Sequence, residues 1–195
     1  MPPPAYRQLS YAVTGEGDRT HTDLMLVTNV AACARVAFVN YLTYGINPGW
    51  QVGYGDFLAL ATVSSNTLPL IRTVHHSIVE SVEEIEGGLF PLRVGNTLRF
   101  RVTRRIELRD AAGRSLQRYA ESATFEYQVQ ARQEGYAASQ PPVAGDIFVI
   151  AQTVRGPAGE VQRKLSFSPE LGACVRQVTL RDHQPAAEAR LTRWW

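Results

Sequence analysis

Between Thr97 and Leu108, apolar and polar side chains alternate. Leu98, Phe100, Val102, Ile106 and Leu108 hold one parity, and Thr97, Arg99, Arg101, Thr103, Arg105 and Glu107 hold the other. A period of two sustained over this length marks a strand with one face on a core and one in water. A helix would scatter the same apolar groups around its axis. Arg104 alone breaks the apolar set. Turn chemistry follows at Asp110-Ala111-Ala112-Gly113-Arg114. A second alternation then runs from Leu116 to Ala131, with Tyr119, Phe125, Tyr127, Val129 and Ala131 on one side. The pair reads as an antiparallel hairpin.

The pattern continues. Asp146 to Val154 is a continuous β-rich run, as expected of a more fully buried strand. Arg155-Gly156-Pro157-Ala158-Gly159 turns the chain, and Val161, Arg163, Leu165 and Phe167 alternate after it. Ser168 to Gly172 is a tight connection, and Ala173 to Arg181 makes another strand. The fold class expected is mainly β (α+β), an antiparallel β-meander forming a half-barrel, barrel or sandwich. The chain reads as one domain, 1–195, with an irregular N-terminal half (1–86) and the meander (87–195). In the first half, Arg7 to Val13 alternates and Leu24 to Val27 is its candidate return strand. Val30, Cys33, Ala34, Ala37, Phe38, Tyr41 and Leu42 fit helical spacing, which predicts one helix near residues 30–43 with Asn29 as its N-cap and Gly45 beyond its end. Phe57 to Val63 fits a buried strand or a short helix. The β-branched content of Val74 to Ile85 favours a strand.

Composition narrows the class. Of 195 residues, 45% are apolar and 19% charged, with a net charge of +2. That is material for a globular core, and the balance demands no nucleic-acid partner. Lys164 is the only lysine, the other cationic side chains being arginine. The longest uncharged stretch, Val36 to Gly55, is interrupted by Asn40, Asn47, Pro48, Gly49 and Gln51, so no transmembrane helix is expected. Met1 to Tyr6 lacks the basic start and apolar run of an export signal. Cys33 and Cys174 allow one disulfide, worth about 4–5 kcal/mol for so long a loop, or two buried thiols.

A resemblance enters in the second half. Gly88-Leu89-Phe90-Pro91-Leu92-Arg93-Val94-Gly95 resembles an FPLxxG segment, Val143-Ala144-Gly145-Asp146-Ile147-Phe148 a VxAGxF segment, and Phe167-Ser168-Pro169-Glu170-Leu171-Gly172-Ala173-Cys174-Val175-Arg176 a YSPELGxxVR signature. In this order they are similar to a loose group of uncharacterised bacterial envelope β-domains, over about residues 87–181. Val143 stands where that group often has proline, and Lys164 to Phe167 departs from its aromatic-rich strand. The resemblance implies a periplasmic or secreted, or lipid-anchored, protein with its export segment removed. It implies no particular activity.

Candidate chemistry is sparse. His75 and His76 lie near Glu80, Glu83, Glu84 and Glu86, but on a strand the two imidazoles point to opposite faces and cannot chelate together. No metal and no cofactor is expected. Ser64, Ser65, Asp56 and His75 are close in sequence, yet no Gly-x-Ser-x-Gly elbow surrounds either serine; a hydrolase using Asp56 with His75 or His76 is the least favoured role. Arg99, Arg101 and Arg105 share a polar strand face, either a cationic stripe for an anionic partner or a solvated face neutralised by Glu107, Glu121 or Glu126. Tyr41, Tyr44, Trp50, Tyr54 and Phe57 cluster on a Gly-rich stretch suited to a ligand or partner site. Trp194-Trp195 is a packed strand end or an exposed apolar surface. The leading expectation is a non-enzymatic envelope β-scaffold that binds another envelope component, protein or lipid. The alternative is a carrier holding a lipid or other apolar small molecule in a curved sheet.

Overall fold

Among the described residues, strand geometry extends into the N-terminal half, beyond the part in which alternation is plain. A computed structural model describes the backbone of residues 6–15, 20–29, 35–42, 46–54, 57–68 and 71–195, and the side chains of residues 9–15, 57 and 73–195. Its strands are β1 (Tyr6–Thr14), β2 (Thr20–Asn29), β3 (Arg35–Leu42), β4 (Ile46–Tyr54), β5 (Leu58–Leu68), β6 (Ile71–Gly87), β7 (Thr97–Asp110), β8 (Ser115–Tyr136), β9 (Val143–Gly156), β10 (Gly159–Ser168), β11 (Ala173–Arg181) and β12 (Gln184–Trp194).

Each strand pairs antiparallel with its neighbours in the chain. From β6 through β12 to β1 these ladders form the eight-stranded sheet whose side chains are described. The backbones of β2 to β5 carry the antiparallel pairing on from β1 to β6, so the order of pairing is cyclic. Cyclic pairing leaves no edge strand with unpaired backbone groups.

The helix expected near residues 30–43 is not present. Arg35–Leu42 is β3, paired on one side with β2 (Val27↔Ala37) and on the other with β4 (Phe38↔Trp50). Val36, Val39 and the aromatic Phe38 and Tyr41 suit a pleated surface better than a helix, and a place between two strands overrides a spacing that only a helix could have used. Residues 30–34 lie outside the described residues. Asn29, the expected cap, is the last residue of β2.

Among the described residues, two clusters of buried side chains form the core. The first faces inward from β7 to β11: Phe100, Val102, Phe125, Tyr127, Val129, Phe148, Ile150, Leu165, Phe167 and Cys174, with Leu89 from the β6–β7 connection. Phe100 and Phe125 stack at 5.4 Å between centroids, with Tyr127 5.9 Å from Phe100. The second cluster joins Leu9 and Tyr11 of β1, Val143 and Ile147 of β9, Leu171, Ala173, Val175 and Leu191. Residues Ile147 to Ile150 are therefore buried in succession, serving both clusters, as a continuous apolar run predicts.

The two ends of the sheet differ. At one end β7–β8, β9–β10 and β11–β12 are joined by short turns; Asp110 anchors the first, its carboxylate accepting from the amides of Ala112 and Arg114 at 2.9 Å. At the other end the connections fold inward as a floor. Asn96 Nδ2 donates to the carbonyls of Leu89 and Pro91 at 3.3 and 2.8 Å. Phe57 packs against Phe167 at 4.8 Å and Phe90 at 5.7 Å. Where β12 runs past the end of β11, the β8–β9 connection takes over its edge: Gln140 N donates to Thr192 O and Trp194 N to Gln140 O. At Gly87 the backbone has φ +77° and a Cβ would meet Thr97 O at 2.4 Å, so only glycine fits.

Ile150→Ala should cost about 2–5 kcal/mol in urea denaturation, whereas Ile85→Ala, at a side chain 64% exposed, should stay within about 0.5 kcal/mol. Equal effects would mean that the first cluster is not the core.

Candidate functional site

Residues opposed across an antiparallel ladder share a face. One rung runs Leu98↔Tyr127↔Gln152↔Arg163↔Thr179 through β7 to β11, on the inward face that carries the aromatic cluster. A polar chain occupies it. The Tyr127 hydroxyl donates to Phe57 O and accepts from Gln152 Nε2 at 2.8 Å. Gln152 Oε1 in turn accepts from Arg163 Nη1 at 3.1 Å. Burial raises the Tyr127 pKa, opposed by Gln152 and by attraction to Arg163 and Arg104, so the phenol stays neutral.

Arg163 is the anomaly in this chain of bonds. Its Nε is buried and meets no acceptor among the described residues. Burial lowers its pKa, and attraction to Tyr127 is the opposing influence; no carboxylate contributes. A guanidinium does not give up its proton in a protein, so a largely enclosed charge stands here without a counter-charge among the described residues.

Arg104, the residue that breaks the apolar parity of β7, is also on the inward face. Its guanidinium carbon lies 5.6 Å from the Phe125 ring centroid, within cation–π range. Burial lowers its pKa too, while Glu121, its register partner on β8, acts in the opposite direction. From the floor, the inward face thus runs from Ile150, Leu165 and Phe167 to the Tyr127–Gln152–Arg163 rung. Phe100 and Phe125 follow beside Val154 and the half-exposed Val161, and then Arg104 opposite Glu121 and the half-exposed Tyr119 nearer the short turns.

The outward face is different in kind. Arg99 pairs with Glu86 at 3.4 Å and Glu126 at 3.5 Å, and Arg105 with Glu80 at 3.1 Å. Arg101 meets both Glu83 and Glu84 at 3.0 Å. A register shift in β6, with Glu84 at φ 53°, brings those two consecutive carboxylates to one guanidinium. The arginine stripe is therefore balanced by β6 and β8. A groove of ≈ 460 Å³ between Glu86, Arg99, Glu126, Gln128 and Thr153 opens on this face.

The other expected site residues are placed unevenly. Phe57 is in the floor. The side chains of Tyr41, Trp50 and Tyr54, and the whole of Tyr44, Cys33 and Asp56, lie outside the described residues. His75 and His76 are successive residues of β6, opposite Leu108 and Glu107 respectively, hence on opposite faces. Among the described residues no group of three or more His, Cys, Asp or Glu side chains could hold a metal. Cys174 is buried within the first cluster. The inward polar set was missed in the sequence, although Arg104 and Arg163 each sit on the apolar parity of their strands, where a charge is out of place. No family model, curated protein or solved structure matches the chain.

The outward face also predicts acid behaviour. A hydrogen bond from Arg109, aided by Ser115 and nearby Arg118 and opposed by desolvation, holds Glu107 down to about 2 from the usual 4.5. A lowered carboxylate stabilises the fold above its unfolded pKa, and that contribution disappears as pH falls from about 4.5 towards 2. In urea titrations at successive pH values, Glu107→Gln should be less stable than the parent protein at pH 7 and should converge with it below about 2. A constant gap would show that Glu107 does not act through its charge.

Proposed function

We propose that this protein is a non-enzymatic binding protein of the bacterial envelope that works as a carrier, its sheet closed into a barrel around a lipid or other apolar small molecule. The observation that carries this reading is the division of the inward face. Ile150, Leu165, Phe148, Phe167 and Phe57 form an apolar floor, the Tyr127–Gln152–Arg163 rung lies next to it, and Phe100 and Phe125 follow with Arg104 over the Phe125 ring. A largely apolar, concave surface with a few convergent polar groups is the composition of a small-molecule site. A scaffold with no ligand would have no use for a charge on that face.

The outward face supports a container in water rather than one spanning lipid. A membrane barrel needs an apolar outer band, and here Arg99, Arg101, Arg105, Glu126 and Arg155 are ion-paired along the middle of the sheet. Among the described residues no helix is long and apolar enough to cross a membrane. Placement in the envelope, periplasmic or secreted, is supported by the order of the Phe90-Pro91, Ala144-Gly145 and Ser168-Pro169-Glu170-Leu171-Gly172 turns. The companion reading, a scaffold that docks on another envelope component, is favoured by Ile85, Phe90 and Val94, which are 64%, 61% and 58% exposed around the β6–β7 connection.

Native mass spectrometry of the purified protein, followed by delipidation and titration with a fluorescent fatty acid, separates the two. A carrier retains small-molecule mass and then takes up the probe saturably, one per chain. A chain that arrives empty and takes up none is a scaffold.

A further inference from the structure

Arg163 is a residue of the inward face whose hydrogen bonding the described residues leave incomplete. Two other cations on the strands beside β10 are paired outward: Arg155 with Glu126 and Glu160 at 2.7 Å, and Arg176 with Glu188 at 2.8 Å. Arg163 points the opposite way, on the parity of Leu165 and Phe167, both buried. Its single described hydrogen bond goes to a neutral amide, Gln152 Oε1, and its Nε is buried without an acceptor. Removing a charge from water without a partner costs several kcal/mol. A fold keeps such a charge when something outside the chain pairs with it.

We infer that Arg163 anchors an anion subsite within the barrel and selects a ligand with a singly charged headgroup on an apolar tail. This rests on the carrier reading and deepens it. Three features set the ligand class. One guanidinium lacks a counter-charge, which suits a headgroup of one negative charge. Its planar fork matches two oxygens on one atom, as in a carboxylate or a phosphodiester. The aromatic floor, one rung beyond at Ile150 and Leu165 and continuing to Phe148, Phe167 and Phe57, offers hydrocarbon a surface. Gln152 is a positioning residue. By accepting from Arg163 Nη1 while donating to the Tyr127 hydroxyl, it holds the guanidinium in place and spends its own donor on Tyr127. Arg104, beside Phe125, adds positive potential on the same face while Glu121 tempers it.

The test uses the full chain after delipidation, with cis-parinaric acid and its uncharged methyl ester as probes. The parent protein should bind the acid about tenfold to a hundredfold more tightly than the ester, the worth of a charge-assisted hydrogen bond. Arg163→Met should erase that preference while leaving ester binding unchanged. In the absence of ligand it should unfold near the temperature of the parent protein, because the loss of the bond to Gln152 Oε1 is offset by the loss of a largely enclosed charge. Displacement of the probe by oleate or by lysophosphatidylglycerol distinguishes the two headgroup sources, and either displacement supports the subsite. Equal binding of acid and ester, or an acid preference that survives in Arg163→Met, overturns the inference while the carrier reading stands. If neither probe binds, both fall. If ligand-free Arg163→Met unfolds far below the parent protein, by more than the loss of its one bond to Gln152 explains, Arg163 is structural and the inference fails by that measurement alone.

Discussion

Cross-strand register is the constraint on which the rest of this structure depends. From Leu98↔Tyr127 through Tyr127↔Gln152 to Gln152↔Arg163, each ladder hands the same face to the next strand. A slip of one residue anywhere along it would turn every subsequent side chain over, placing Phe125, Ile150 and Leu165 in water and Glu126 and Arg155 against the rings. The aromatic stack of Phe100, Phe125 and Tyr127 makes that slip expensive. It fixes the floor and, as a by-product, the side on which Arg104 and Arg163 appear.

How much of this was legible in the sequence depended on whether a segment faces two environments or one. β7, β8 and β10 separate a wet face from a dry one, so their alternation is plain, and their turns carry Gly113 and Gly159 where φ is positive. β9 serves two clusters and shows as an unbroken apolar run. β3 lacks a clear alternation, and the same apolar residues satisfy a helical count; the pairing of β3 with β2 and β4, which decides the matter, is a long-range fact invisible locally. β4 includes Pro48 and two glycines, Gly49 and Gly53, within Ile46–Tyr54, residues that usually argue against a strand.

The candidate site was legible in a different sense. Charge on the outward parity attracted notice because it is concentrated, yet Arg99, Arg101 and Arg105 spend themselves on Glu86, Glu83, Glu84 and Glu80. Charge on the inward parity was diluted, one residue per strand, and read as an interruption of a pattern. The interruption was the more informative signal: a cation among leucines and phenylalanines has to be accounted for, and one among glutamates does not. Only the register shows that Arg163 and Tyr127 belong to one rung and that Gln152 links them.

The bonds between Gln140 and the end of β12 have a consequence for how the molecule breathes. Gln140 holds Thr192 and Trp194 through two backbone bonds, and the Trp194 indole donates to Pro141 O at 2.8 Å. The overhang of β8 and β9 and the last turn of the polypeptide therefore loosen as one unit. Amide hydrogens at Gln140 and Trp194, 54 positions apart, would exchange with solvent through the same opening event, coupling the closing strand to the hairpin that supplies Val143 and Ile147 to the second cluster.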